Sequence, residues 1–148
     1  MTHAERSGSD RVRIVIDTVG FVRAMMGPTS AWGELVFRRA HQIETLLCEQ
    51  MVVEIERVLT YPKVARKLES PAAASRAALD AVIQGATFVD VVEIPAICRD
   101  PGDDIVLATA HLGGAAYILS EDKDWLDMIE YEGIRIVNGV ELLAVLRE

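Results

Sequence analysis

Four carboxylates stand where this 148-residue sequence is best placed to do chemistry: Asp17, Glu54, Asp104 and Asp122. Asp17 follows directly on the apolar run Val12-Arg13-Ile14-Val15-Ile16, and Asp122 comes just after Tyr117-Ile118-Leu119. Asp104 opens a helical stretch behind the loop Arg99-Asp100-Pro101-Gly102-Asp103. Glu54 lies at the margin of the apolar stripe Met51, Ile55, Val58. If the apolar runs are parallel strands, groups beyond their carboxyl ends gather at one edge, where open α/β sheets place ligands. Each acid alone has a plainer reading: Asp17 as a helix cap, Asp103 and Asp104 as partners of a helix dipole, Glu54 reaching to water. Jointly, four acids placeable at one sheet edge predict a metal site. Asp17, Asp104 and Asp122 are the expected ligands, and a hard cation such as Mg²⁺ or Mn²⁺ suits such oxygen donors.

The charge distribution sharpens this expectation. Between Asp100 and Asp127 seven acids (Asp100, Asp103, Asp104, Glu121, Asp122, Asp124 and Asp127) face a single cation, Lys123, so this segment carries most of the chain's net −8. Self-repulsion on that scale is relieved by solvation or by a shared cation. A net negative chain is ill suited to a simple electrostatic clamp on nucleic acid, but a nucleic-acid enzyme whose carboxylates are masked by metal is not excluded. The compact basic cluster is Arg57, Lys63, Arg66 and Lys67. Lys63, Arg66 and Lys67 are spaced i, i+3, i+4, so they share one helix face that either touches phosphates or is simply solvated.

The elements that must position the acids follow from periodicity and breakers. Val12–Ile16 is β-branched and almost continuously apolar, as in a strand buried on both faces of a parallel sheet. Helices are expected at 21–26, at 31–40 capped by Ser30, at 49–59, over a short basic stretch after Tyr61-Pro62, at about 71–83, at about 104–112, around 125–129 and at 140–147 capped by Asn138. Further strands are expected at 43–47, 87–92, 117–119 and 134–137. Strands alternating with helices predict an α/β fold with a mostly parallel central sheet flanked by helices on both faces, in three layers. Residues 1–11 read as a flexible tail and residues 12–148 as a single domain; 51% hydrophobic residues suffice for one core at this length.

Other chemistries find little support. Cys48 and Cys98 form no C-x-x-C, and His3, His41 and His111 share no metal-ligand spacing, which argues against zinc. G-x-G-x-x-G and P-loop motifs are absent. A dehalogenase-type phosphatase wants an Asp two positions after Asp17, where Val19 stands. Free thiols, no export signal and no apolar run of membrane length predict a cytoplasmic protein.

From about Val12 to Leu146 the sequence resembles the PIN-domain nucleases, in particular the VapC-like toxins of toxin–antitoxin pairs. Ile14-Val15-Ile16-Asp17-Thr18 is similar to that family's opening strand with its first catalytic aspartate. Val53-Glu54-Ile55-Glu56-Arg57-Val58-Leu59 before Pro62-Lys63 is similar to its helix with the catalytic glutamate. Arg99-Asp100-Pro101-Gly102-Asp103-Asp104 resembles its third acidic motif, and Ser120-Glu121-Asp122-Lys123-Asp124-Trp125-Leu126 its fourth. The resemblance implies Asp17, Glu54, Asp104 and Asp122 as catalytic acids, with Asp100, Asp103 and Asp124 auxiliary. It implies one or two Mg²⁺ or Mn²⁺ ions, cleavage of single-stranded RNA to a 5′-phosphate and a 3′-hydroxyl, a small antitoxin partner and a homodimer. Three departures stand out. Val19 replaces the Asn that usually follows Asp-Thr, Gly102 stands where an extra Asp is frequent, and Cys48 replaces a common Ser. The rival reading is a non-catalytic PIN-fold interaction module with a weakened metal site.

Overall fold

The computed structural model describes residues 11–98 and 100–147. The expected tail, apart from Arg11, lies outside the described residues, as does Arg99 of the third acidic segment.

The strands are β1 (Val12–Ile16), β2 (Ile43–Leu47), β3 (Thr87–Phe88), β4 (Tyr117–Leu119), β5 (Glu130–Tyr131) and β6 (Ile134–Val137). They form one sheet in the order β3-β2-β1-β4-β6-β5, parallel except for the β5–β6 pair. The helices are α1 (Thr18–Met26), α2 (Ala31–Gly33), α3 (Glu49–Leu59), α4 (Pro62–Leu68), α5 (Arg76–Gly85), α6 (Pro101–Gly113), α7 (Lys123–Met128) and α8 (Gly139–Arg147), with a π-helical turn at Glu34–Arg38. Consecutive side chains of a strand point to opposite faces. Because Ile14, Val15 and Ile16 are all fully buried, β1 is covered on both sides, as expected for a three-layer α/β arrangement. One hydrophobic cluster joins these residues to Leu46, Leu47, Met51, Ile55, Leu107, Ile118 and Leu119.

β1 is flanked by β2 on one side and β4 on the other, with Ile16 opposite Leu119. The connections leaving β1 and β4 therefore emerge side by side, and this switch in strand order is what positions the acids.

Several elements differ from the sequence expectation. The helix expected over 31–40 is a short turn of α2 followed by the wider π turn. Gly33 packs so closely on Pro28 that a Cβ there would lie 2.1 Å from the Pro28 carbonyl oxygen. The Ala-rich helix starts at Arg76 rather than Pro71, because the Ala74 amide is taken by the Met25 carbonyl (2.8 Å) and Ser75 supplies the cap through its hydroxyl to the Ala78 amide. The strand expected to run to Val92 stops at Phe88: beyond the Val89 amide, bound to the Leu47 carbonyl, β2 offers no further ladder. β5 was not expected. It exists through a two-residue turn at Glu132 and Gly133, with φ of 52° and 82°, the doubly left-handed geometry that suits hairpins.

Candidate active site

Asp17 leaves β1 and caps α1. Its Oδ1 accepts from the Gly20 amide at 2.8 Å and its Oδ2 from the Ser120 hydroxyl at 2.6 Å. Ser120 follows β4 and is fully buried. It also accepts from the Asp122 amide at 3.0 Å, while Asp122 Oδ1 caps α7 through the Asp124 amide at 2.9 Å. A single hydroxyl thus links the first acid to the fourth. Burial pushes the Asp17 carboxyl above its ordinary range, the Asp122 charge adds to this, and the hydrogen bonds from Ser120 and Gly20 oppose it.

Asp17, Asp122, Asp103, Asp100 and Glu54 line one cavity of about 450 Å³, together with Val19, Arg57 and Trp125. The Asp103 carboxyl is pushed up to about 6, first by burial and then by the charges of Asp100, Asp17 and Asp122; the Trp125 side chain acts in the opposite direction. This mutual perturbation is the electrostatic signature of carboxylates sharing a pocket. Glu54, on α3, is ion-paired with Arg57 one helical turn along.

The third expected ligand is placed differently. Asp104 is buried but does not line the cavity. Its Oδ1 accepts from the amides of Cys98 (2.7 Å) and Ile97 (3.1 Å), and the Cys98 amide chiefly holds its carboxyl below the ordinary range. Asp103, expected only as an auxiliary acid, takes the cavity position instead. The sequence carried a signal: Asp104, Leu107 and Ala108 share an i, i+3, i+4 stripe, and all are buried, so Asp104 faces inward and meets backbone donors. Ser120 was missed as a functional residue; a hydroxyl directly after an apolar strand and two residues before an acid was its only mark.

Asp124 lies beside the neighbouring cavity formed with Cys98, Asp103 and Trp125 rather than in the main one. Lys63, Arg66 and Lys67 are exposed on α4 and do not line the acidic cavity; Arg57 does.

The donor set is all carboxylate oxygen, two of the acids are raised by burial and mutual repulsion, and among the described residues Arg57 is the only cation lining the cavity. Such donors fit a hard divalent cation. Among the described residues no three His, Cys, Asp or Glu side chains already stand as a closed ligand cluster. Asp17 retains lone pairs for such an ion, since each of its carboxylate oxygens accepts one hydrogen bond.

Among the described residues no helix is long and apolar enough to cross a membrane. The fold is similar to a chain in the crystal structure of VapBC2 from Rickettsia felis bound to a DNA fragment from their promoter. The TM-score is 0.56 at 10% identity, covering 86% of this chain and 98% of that one, a likeness of fold alone. No curated protein sequence matches the chain. The family model of the PIN domain matches residues 13–124, about three quarters of the sequence and a span that includes Asp17, Glu54, Asp104 and Asp122, and the chain therefore belongs to the PIN domain family.

Proposed function

We propose that this protein is a metal-dependent endoribonuclease that hydrolyses phosphodiester bonds of single-stranded RNA, acting as the toxin of a toxin–antitoxin pair. The observation that carries the reading is the meeting of Asp17, Asp103 and Asp122, from three distant segments, around one cavity at the switch between β1 and β4. Membership of the PIN domain family and the likeness of fold to VapBC2 support it.

Asp17, Asp103 and Asp122 would hold one or two Mg²⁺ or Mn²⁺ ions, with Asp100 alongside, and Asp104 supports the α6 start from behind. A bound divalent ion lowers the pKa of water and neutralises charge developing on the phosphoryl oxygens. Glu54, which lines the same cavity, would accept the proton of the attacking water, directly or through another water. Ser120 donates to Asp17 Oδ2 and opposes the rise that burial imposes on its pKa. Arg57 meets a phosphate at the rim, and Lys63, Arg66 and Lys67 extend that contact along α4. Residues 12–148 act as a single domain in the cytoplasm, pair as a homodimer, and are restrained by a small antitoxin.

The second reading is a PIN-fold interaction module without catalysis. Val19, an exposed residue in the cavity wall, favours it, because it cannot supply the hydrogen bonds of the family's usual Asn.

Cleavage of a labelled RNA pool tests the proposal. Mn²⁺- or Mg²⁺-dependent products with 5′-phosphate ends, absent in Asp17→Asn and Asp103→Asn, support the nuclease; an intact pool at all metal concentrations supports the module.

A further inference from the structure

Glu121 stands between two residues of the fourth acidic segment that face the site, Ser120 and Asp122, yet its side chain turns away from the cavity. Glu121 Oε2 accepts from the Trp32 indole N–H at 2.9 Å and from the Gly139 amide at 2.9 Å. Three elements distant in sequence meet there: α2, the loop after β4 and the start of α8. Gly139 packs at ordinary van der Waals distance from both partners: a Cβ there would lie 3.4 Å from Glu121 Oε2 and 3.5 Å from Trp32 Nε1. The negative charge also sits at the amino end of α8, where the helix dipole favours it.

Trp32 reaches the site from the other side as well. Its ring lies against Gly20, where a Cβ would come within 2.4 Å of the ring carbon Cζ3. Gly20 is the residue whose amide holds Asp17 Oδ1. One buried indole therefore packs under the amide that orients Asp17 and donates to the side chain that precedes Asp122. Ser120 links the two acids from the front, and the Trp32–Glu121 pair links their backbones from behind.

We propose that Glu121 is a positioning residue: anchored by Trp32 and by the first amide of α8, it fixes the loop that carries Asp122 relative to Asp17. This rests on the reading of Asp17 and Asp122 as metal ligands. It assigns a role to an acid that does not line the cavity and to a tryptophan that core packing alone would explain.

The test uses the full chain with Glu121→Ala, Glu121→Gln and Trp32→Phe, measuring Mn²⁺ affinity by titration calorimetry, kcat and KM on RNA, and thermal unfolding. Glu121→Ala and Trp32→Phe should each weaken Mn²⁺ binding about tenfold, the low end of what outer partners of metal ligands contribute. Both should lower kcat with KM for RNA unchanged. Glu121→Gln keeps an acceptor oxygen and should restore most of the affinity, and Glu121→Ala combined with Trp32→Phe should be no weaker than either alone. If Glu121→Ala fails to fold, Trp32→Phe and Glu121→Gln still decide the matter. A lowered unfolding midpoint with unchanged Mn²⁺ affinity and kcat in Trp32→Phe and Glu121→Ala would reduce the pair to a structural contact and overturn the proposal. A wild-type protein that binds no Mn²⁺ overturns the nuclease reading itself, and is told apart because the unsubstituted chain is already silent.

Discussion

The Ser120 hydroxyl lies 2.6 Å from Asp17 Oδ2, with both residues buried at the adjoining ends of β4 and β1. Of the two bonds that lower the Asp17 pKa against burial, it is the larger contributor. Removing it strands a buried carboxylate oxygen, which costs about 1–3 kcal/mol for a neutral group and more when the group stays charged. Ser120→Ala should therefore raise the Asp17 pKa further and move the acid limb of the pH–activity profile to higher pH. A profile that keeps its position while only the plateau falls would speak against this role.

Asp103 makes the metal-free protein pH-sensitive in a stated direction. Its carboxyl rises from 3.8 to about 6 on folding, so between those values the folded state binds more protons than the unfolded one. Stability then falls as pH rises through that window. Asp17, also raised, adds with the same sign. Asp104, lowered, stabilises above the ordinary carboxylate range and loses its contribution only as pH falls below it. Chemical denaturation of metal-free protein should show lower stability at pH 7 than at pH 5, and Asp103→Asn should flatten the difference while raising stability at pH 7. An unchanged pH slope in Asp103→Asn would contradict the assignment.

Asp104 and Asp103 should separate cleanly when substituted. Asp104→Ala frees the Cys98 and Ile97 amides and should lower the thermal midpoint, with Mn²⁺ affinity kept within about twofold because no cavity group is lost. Asp103→Asn should cut metal-dependent cleavage by more than the 10–100-fold that outer-partner losses cause. The reverse pattern would return Asp104 to the ligand set.

On α4, Lys63, Arg66 and Lys67 are exposed, and none forms an ion pair among the described residues. Charge reversal at Lys63 and Lys67 should weaken RNA binding at low salt and flatten its dependence on salt concentration. Binding isotherms identical to wild type across salt would make this face ordinary solvated surface.

Much of the scaffold was legible because it is written locally. β1, β2, β4 and β6 fall where short runs rich in apolar residues are bounded by polar residues or breakers, and Asp17 and Asp122, each just past such a run, line one cavity. What was illegible depends on partners outside the element itself or on an atypical turn residue. Neighbouring residues in a helix point about 100° apart, so whether Asp103 or Asp104 enters the cavity is decided by which of them meets the amides of residues 97 and 98. The late start of α5 depends likewise on the Met25 carbonyl, 49 residues away from Ala74 in sequence. β5 hung on a turn whose first left-handed residue is Glu132 rather than the usual Asn or Asp, so the sequence signal was weak.

Titration of Mn²⁺ into the metal-free protein, with Asp17→Asn and Asp103→Asn in parallel, addresses the cavity most directly. The account predicts saturable binding at micromolar concentrations in the unsubstituted chain and its loss in both variants. Heat signals that are absent from the unsubstituted chain, or that persist undiminished in Asp103→Asn, would contradict it.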